Sequence, residues 1–182
     1  MIDINDAEQV EKCLAGNSRA FELLIDKYQK ALFNGTLRMV NNYQDAEDIV
    51  QNVFIKAYNN LERYDSRYKF FSWIYRIAVN ESINHIKKQK KDNVELDETI
   101  GSDENPENIY DQKELERRVQ DILSRLEPKY RILIVLCQLQ NVSYQEAGRI
   151  LNIDEKKVKS RLFSARQQVK DLLIKEGIES NA

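Results

Sequence analysis

The sequence predicts an all-α protein made of two small helical domains joined by an acidic flexible linker. Three observations carry this. The 182 residues include only five glycines and two prolines, and 32% are charged, which favours helices over a turn-rich sandwich or barrel. Apolar residues recur at helical spacing in both the front and the back of the chain. Between these parts, Asp92 to Asp111 holds eight acidic residues and no Lys or Arg, with Gly101, Pro106 and little apolar periodicity. Such a stretch cannot bury enough apolar surface to offset its ordering entropy, so it divides the chain into 1–91, a linker at 92–112, and 113–182. Composition leaves open whether the linker is a solvated tether or a docking segment.

In the front half, Gly16 can end a short helix and Asn17 or Ser18 can cap the next one. In that helix Phe21, Leu24, Ile25, Tyr28, Ala31 and Leu32 form an ordinary core stripe. A further helix, from about Asp45 to Leu61, buries Ala46, Ile49, Val50, Val53 and Ala57 and leaves Phe54, Ile55 and Tyr58 over. These share the remaining surface with Glu47, Asp48 and Gln51. That mixture fits a protein-binding helix, and it also fits a wide core face with a solvated acidic side.

The stretch from Phe70 to Lys91 runs aromatics directly into cations. Arg63 to Lys91 holds eight Lys or Arg against two acids, although the whole chain carries a formal charge of −2. The positive charge is therefore localised, and with interleaved aromatics it suits single-stranded or opened DNA. On a helix, Trp73, Ile77, Asn80, Asn84 and Lys87 fall in one sector, with Tyr75, Val79, Ile83 and Ile86 opposite. One side can pack and the other can read, since an Asn amide both donates and accepts. Core packing of Phe71 and Trp73 is an equally open reading.

The back half opens with Leu115, Val119, Ile122, Leu123 and Leu126, breaks at Pro128, and resumes with Ile132, Leu133, Val135, Leu136 and Leu139, giving two helices. Ser143 to Glu146 then reads as a capping box that starts a third helix to about Leu151. Asn152 tolerates the left-handed turn, Asp154 can cap a fourth helix, Gly148 permits close helix approach and Val158 can plug the core. Together these describe a helix-turn-helix. Its second helix carries Lys156, Lys157, Lys159, Arg161, Arg166 and Lys170 against Glu155 near its start. Lys156, Lys157, Ser160 and Arg161 are the expected major-groove contacts, while Val158, Leu162, Val169 and Leu172 pack inward.

Cys13 and Cys137 lack metal-ligand spacing and read as reduced thiols in a cytoplasmic protein, with no disulfide. The start shows no signal-peptide pattern, and the longest apolar run, Ile132 to Cys137, is too short to span a bilayer. The single histidine, His85, sits beside the lysine cluster as a surface or phosphate-facing residue. Without a Gly-rich phosphate loop or metal-ligand set, the expectation is no catalytic residue, no metal, no cofactor and no small-molecule substrate.

These segments, taken in order, resemble the bacterial sigma-70 superfamily, and in particular the short extracytoplasmic-function sigma factors. Asp45 to Tyr58 is similar to the family's region 2.2, Phe70 to Lys91 to regions 2.3 and 2.4, and Val142 to Leu173 to region 4.2. The resemblance implies a promoter-specificity subunit of core RNA polymerase. It implies that Glu47, Asp48, Gln51, Asn52, Phe54 and Ile55 dock on the clamp helices of the largest polymerase subunit. Arg63, Tyr64, Arg67, Tyr68, Lys69 and Phe70, with Trp73, Arg76, Asn80 and Asn84, would open the minus 10 element and hold a flipped nontemplate base. Lys87 and Lys88, with Lys90 and Lys91, would hold phosphates. Ser143, Tyr144, Glu155, Lys156, Lys157, Lys159, Ser160, Arg161, Ser164 and Arg166 would read the minus 35 element. The first helices of that half would touch the flap of the second-largest subunit, and the linker would thread toward the active-site cleft. An anti-sigma factor or another recruiting protein is a further implied partner.

Two departures from the family pattern bear on minus 35 reading: Asp154-Glu-Lys-Lys157 replaces a Pro-x-Gly-Thr run, and Ala147-Gly148 replaces Ile-Ala. The alternative from another class is a stand-alone helix-turn-helix regulator of duplex DNA. It leaves Phe54, Ile55 and the aromatic-basic helix unexplained.

Overall fold

The computed structural model describes residues 5–92 and 110–175. The expected linker therefore lies outside the described residues, apart from its flanks. In order the chain forms α1 (Asp6–Leu14), α2 (Arg19–Val40), α3 (Tyr43–Asn59), a 3-10 turn (Leu61–Arg63) and α4 (Phe70–Asp92). Then follow α5 (Tyr110–Arg125), α6 (Pro128–Ile134) running on as a π-helical stretch (Val135–Leu139), α7 (Tyr144–Leu151) and α8 (Glu155–Lys175). No strand occurs among the described residues.

The helix ends follow local chemistry. Gly16 closes α1 at φ +99°, where a Cβ is unfavourable. Asn41, Asn141 and Asn152 supply left-handed positions at φ 59°, 54° and 53° after the helical segments that precede them. Asn42 accepts from the backbone N–H of Asp45 at 3.0 Å, so α3 starts two residues before the expected Asp45. It stops at Asn59, and Leu61 is buried in the 3-10 turn instead of extending the helix. Ser143 accepts from the N–H of Glu146 at 3.2 Å and Asp154 from that of Lys157 at 2.7 Å, as expected. The reciprocal arm of the capping box takes another course, because the Glu146 carboxylate bonds Lys69 and Ser72 of the other half.

α2 packs on α1, α3 and α4, and α8 packs on α6 and α7. The expected stripes on α2 and α3 are buried or half-buried, with Leu24, Leu32, Ala46, Val53 and Ala57 fully enclosed. Phe54 departs from the expectation of an exposed anchor. It is 8% exposed and meets Phe21 edge-on at 6.3 Å, because α3 is covered by both α2 and α4. Leu115 departs the other way. It is 63% exposed, since the buried apolar residues of α5, Ile122 and Leu123, lie further along.

The two halves pack against one another. The Arg131 guanidinium of α6 is buried and donates to the carbonyl of Met39, near the end of α2, as well as to those of Ser124 and Leu126. Gln140 donates to Ala31 O at 2.9 Å, and Arg38 donates to Gln120 Oε1 at 3.2 Å. Beside these contacts Gly35 lets α2 approach α4: a Cβ there would lie 1.7 Å from the buried Tyr75 hydroxyl. Gly35→Ala is therefore expected to lose about 1–3 kcal/mol of stability by overpacking, more than the roughly 1 kcal/mol that helix propensity returns. Urea denaturation checks this, and an unchanged midpoint would reject the close approach.

Candidate nucleic-acid interface

The periodicity of α4 positions the first surface. Phe70, Ile74, Tyr75, Ala78, Val79 and Ile86 are buried, which turns Asn80, Asn84, Lys87 and Lys88 outward to solvent. Lys56 reaches over to Glu81 at 2.6 Å, pairing one of the helix's few acids. His85 is half-buried beside α3 and not the open surface residue that is one of its two expected readings. Its Nε2 lies 3.1 Å from Asp45 Oδ2 without a hydrogen bond, while Gln89 donates to the same carboxylate and ties α4 to the first turn of α3.

At the start of α4 the rings of Tyr64, Phe70 and Trp73 cluster with centroids 5.2 to 5.6 Å apart. Phe70 is the buried member and cannot stack on a base in this conformation, whereas Tyr64 and Trp73 are half-buried and keep an open edge. Phe71 sits half-buried against Tyr28 and Tyr75 on the core side. The preceding loop is folded by its own side chains: the Tyr64 hydroxyl donates to Tyr68 O at 2.7 Å, and Arg67 pairs with Asp65 at 2.6 Å. The Arg67 hydrogen bonds hold the Asp65 carboxyl below its usual range, and burial, followed by the nearby carboxylates of Asp6 and Asp65, raises the Tyr64 hydroxyl. Arg63, Arg67, Lys69 and Arg76 are all exposed around this cluster.

The second surface is α8. Val158, Leu162 and Ala165 are buried, and Val169 and Leu172 half-buried, as the sequence implies. Lys156, Lys157, Lys159 and Ser160 stand exposed, while Arg161 and Ser164 lie half-buried on the flank. Glu155 pairs with Lys159 at 2.7 Å, Arg166 reaches the Tyr144 hydroxyl at 3.4 Å, and Ser143 is engaged in capping α7. Gly148 is needed at the turn, where a Cβ would lie 2.8 Å from the Ile153 carbonyl oxygen. Sequence reasoning missed Phe163, which is 64% exposed on the face shared by Lys156, Lys159 and Ser160. The missed signal was an aromatic out of phase with the buried stripe.

A third surface lies on α3. Asp48, Gln51 and Asn52 are exposed and Glu47 half-buried, with Ile55 57% and Tyr58 46% exposed beside them. Among the described residues no group of acidic, His or Cys side chains could hold a metal ion, and no helix is long and apolar enough to cross a membrane. Cys13 and Cys137 are both buried free thiols.

A helical half with an aromatic-basic reading helix, followed by a helix-turn-helix half, is the arrangement of a promoter-recognition factor. Family models agree segment by segment: Sigma-70 region 2 matches residues 24–92 and Sigma-70 region 4 matches residues 116–169. The ECF RNA polymerase sigma factor SigW of Bacillus subtilis is 33% identical over 91% of this chain and 95% of its own length. The ECF RNA polymerase sigma-E factor of Escherichia coli is 32% identical over 91% of this chain and 93% of its own. Among solved structures, CnrH in complex with the cytosolic domain of CnrY superposes with a TM-score of 0.73 at 25% identity, covering 92% of this chain and 96% of that one. The sigma factor RpoE of Bartonella quintana, in complex with the anti-sigma factor NepR, shares the fold at 21% identity and a TM-score of 0.68, covering 84% of this chain and 96% of that one. The chain belongs to the sigma-70 family of transcription initiation factors, in its extracytoplasmic-function branch.

Asn152 holds the left-handed position at the turn between α7 and α8. Asn152→Gly should leave the melting temperature nearly unchanged, whereas Asn152→Val should cost about 1–2 kcal/mol, because Cβ crowding opposes this conformation. Thermal unfolding of both variants checks the difference.

Proposed function

We propose that this sigma factor binds core RNA polymerase through the exposed side of α3, opens and reads the minus 10 element with α4 and the loop before it, and reads the minus 35 element with α7 and α8. The observation that carries the reading is the outward face of α4. There Asn80 and Asn84 stand between the half-buried Trp73 and the exposed pair Lys87 and Lys88. Amides address base edges, an aromatic edge accepts a base swung out of the stack, and the cations neutralise the backbone beside it. Unstacking a base costs a few kcal/mol, a sum that one stacking contact and one or two amide hydrogen bonds can offset.

On α8 the exposed lysines and Ser160 supply phosphate and base contacts, and Phe163 adds an apolar contact of the kind that thymine methyl groups accept. On α3, Ile55 and Tyr58 form the apolar centre and Asp48, Gln51 and Asn52 the polar rim that a protein partner needs. Phe54 supports that surface from beneath. The chain performs no chemistry of its own, since the polymerase supplies the metals and the phosphoryl transfer. It acts in the cytoplasm, where polymerase and promoter are, and an anti-sigma factor competing for the same surfaces is the expected regulator. A stand-alone regulator of duplex DNA would leave the region 2 half, matched over residues 24–92, without a role.

Three outcomes test the reading. Asp48→Ala with Gln51→Ala should weaken binding to core polymerase, measured by fluorescence titration, while circular dichroism stays unchanged; equal affinity would remove the docking assignment. Asn80→Ala should reduce strand opening, followed by permanganate footprinting, more than it reduces polymerase binding. Lys156→Ala and Lys157→Ala should each weaken transcription from promoters with an intact minus 35 element by about 1–3 kcal/mol if they touch bases. Indifference of both to the minus 35 sequence would reduce them to phosphate contacts.

A further inference from the structure

α8 opens on Glu155 and carries no further acid until Asp171. The place of that first acid calls for a reason, because a carboxylate that faces DNA is repelled by every phosphate it passes. Capping does not supply one. Asp154 already accepts from the backbone N–H of Lys157 at 2.7 Å and brings its own negative charge to the helix N-terminus. Glu155 stays exposed, and its carboxylate meets the Lys159 ammonium one turn on, at 2.7 Å. Glu155, Lys159 and Phe163 follow one another at intervals of four, so they form a single row along the helix. Phe163 is 64% exposed and the paired side chains 45% and 58%, which leaves the whole row open to a partner. A row that starts with a carboxylate and continues to an open aromatic suits base edges better than the sugar-phosphate backbone.

The ion pair presents a definite pattern, an acceptor held beside a donor. In the major groove a C·G pair shows the complement: the cytosine N4 amino donor, with the guanine acceptors O6 and N7 together on one side of it. An A·T pair fits less well. Its amino group is flanked on both sides by acceptors, adenine N7 and thymine O4, and both repel a carboxylate. The hydrogen bond to Glu155, and next the charge of Glu155, hold the Lys159 ammonium above the usual lysine range, so the donor half of the pattern stays charged. We propose that Glu155 and Lys159 together read one C·G base pair of the minus 35 element, Glu155 accepting from cytosine N4 and Lys159 donating to guanine O6 or N7. This deepens the reading of α8 as the minus 35 helix and rests on it.

The test uses the full chain with core polymerase, and selects and sequences bound promoters from a library randomised through the minus 35 element. The parent should prefer cytosine at one position by about tenfold, the ratio expected of one good base contact. Glu155→Gln, whose amide matches adenine N6 and N7, should move the preference at that position alone to adenine. Glu155→Lys combined with Lys159→Glu restores the ion pair with its polarity reversed, and should turn the preferred C·G into G·C. A pair that only steadied the helix would give this exchanged variant the parent's preferences, and that result would overturn the proposal. Glu155→Gln keeping cytosine, or losing all promoters equally, would overturn it as well. Circular dichroism establishes that each variant is folded. Glu155→Ala gives an independent reading should the exchanged pair fail to fold: preference at the one position should vanish while its neighbours keep theirs. A parent that reads the minus 35 element with no position sensitive to Glu155 would reject the pair alone, whereas a parent indifferent to the whole element would reject the reading of α8 and the base contact with it.

Discussion

The two faces of α4 decide what the front half of this chain can present to a partner. The buried side, Phe70, Ile74, Tyr75, Ala78, Val79 and Ile86, is shared among α2, α3 and α7, so the helix is held from three directions. Once that side is spent on the core, the 3.6-residue period leaves the asparagines and lysines nowhere to go but outward. The face proposed to read the promoter is thus a remainder of the packing, set on a helix whose other side is buried. Side chains projecting from a fixed helix hold their geometry more closely than side chains on a loop. Opening a duplex needs such geometry, because the small net gain from a captured base is lost if contacts are loosely placed.

The join between the halves follows a different logic from their interiors. Inside each half, apolar stripes meet and the hydrophobic effect dominates. Across the join, much of the specific contact is a helix end satisfied by a side chain from elsewhere: Arg131 on the carbonyl of Met39, Arg76 on that of Arg149, and Glu146 at the head of α4, with Gln140 reaching the mid-helix carbonyl of Ala31 as well. Contacts of this kind are directional, and each group has water as an alternative partner once exposed. They hold the two halves in a definite arrangement. A factor that must reach promoter elements lying well apart on the DNA is served by halves that cohere in this manner.

The fold was legible from the sequence wherever local chemistry determines the outcome. The stripe on α3, the caps at Ser143 and Asp154, the left-handed Asn152 and the inward Val158 and Leu162 all depend on neighbours within one or two turns, and all stand as read. What sequence left obscure depends on partners far along the chain. Phe54 and Leu115 are both apolar residues beside a good stripe, and only the arrangement of the other helices decides that one is covered and the other is not. Glu146 occupies a position where a local bond was available, and a distant helix end outcompeted it. His85 was grouped with the lysines by proximity in sequence, although one turn of helix rotates it toward Asp45. At the interface, charge and amide placement on α4 and α8 were readable in advance, whereas the burial of Phe70 and the exposure of Phe163 were not.

The π-helical stretch from Val135 to Leu139 has a consequence of its own. A π turn accommodates one residue more than an α turn and has poorer intrinsic geometry. Here it carries Gln140 to the position from which its amide reaches the Ala31 carbonyl, and Val142 N–H closes back on Leu136 at 2.9 Å. Removing one residue would relax the helix locally but rotate everything after it by about 100°, carrying Gln140 away from α2 and turning the start of α7 with it. The segment is therefore locally frustrated, and the conflict is tolerated because both halves are built on the register it sets. Chain length within these five residues is therefore constrained together with the identity of Val135, Leu136 and Cys137, which are buried in the core.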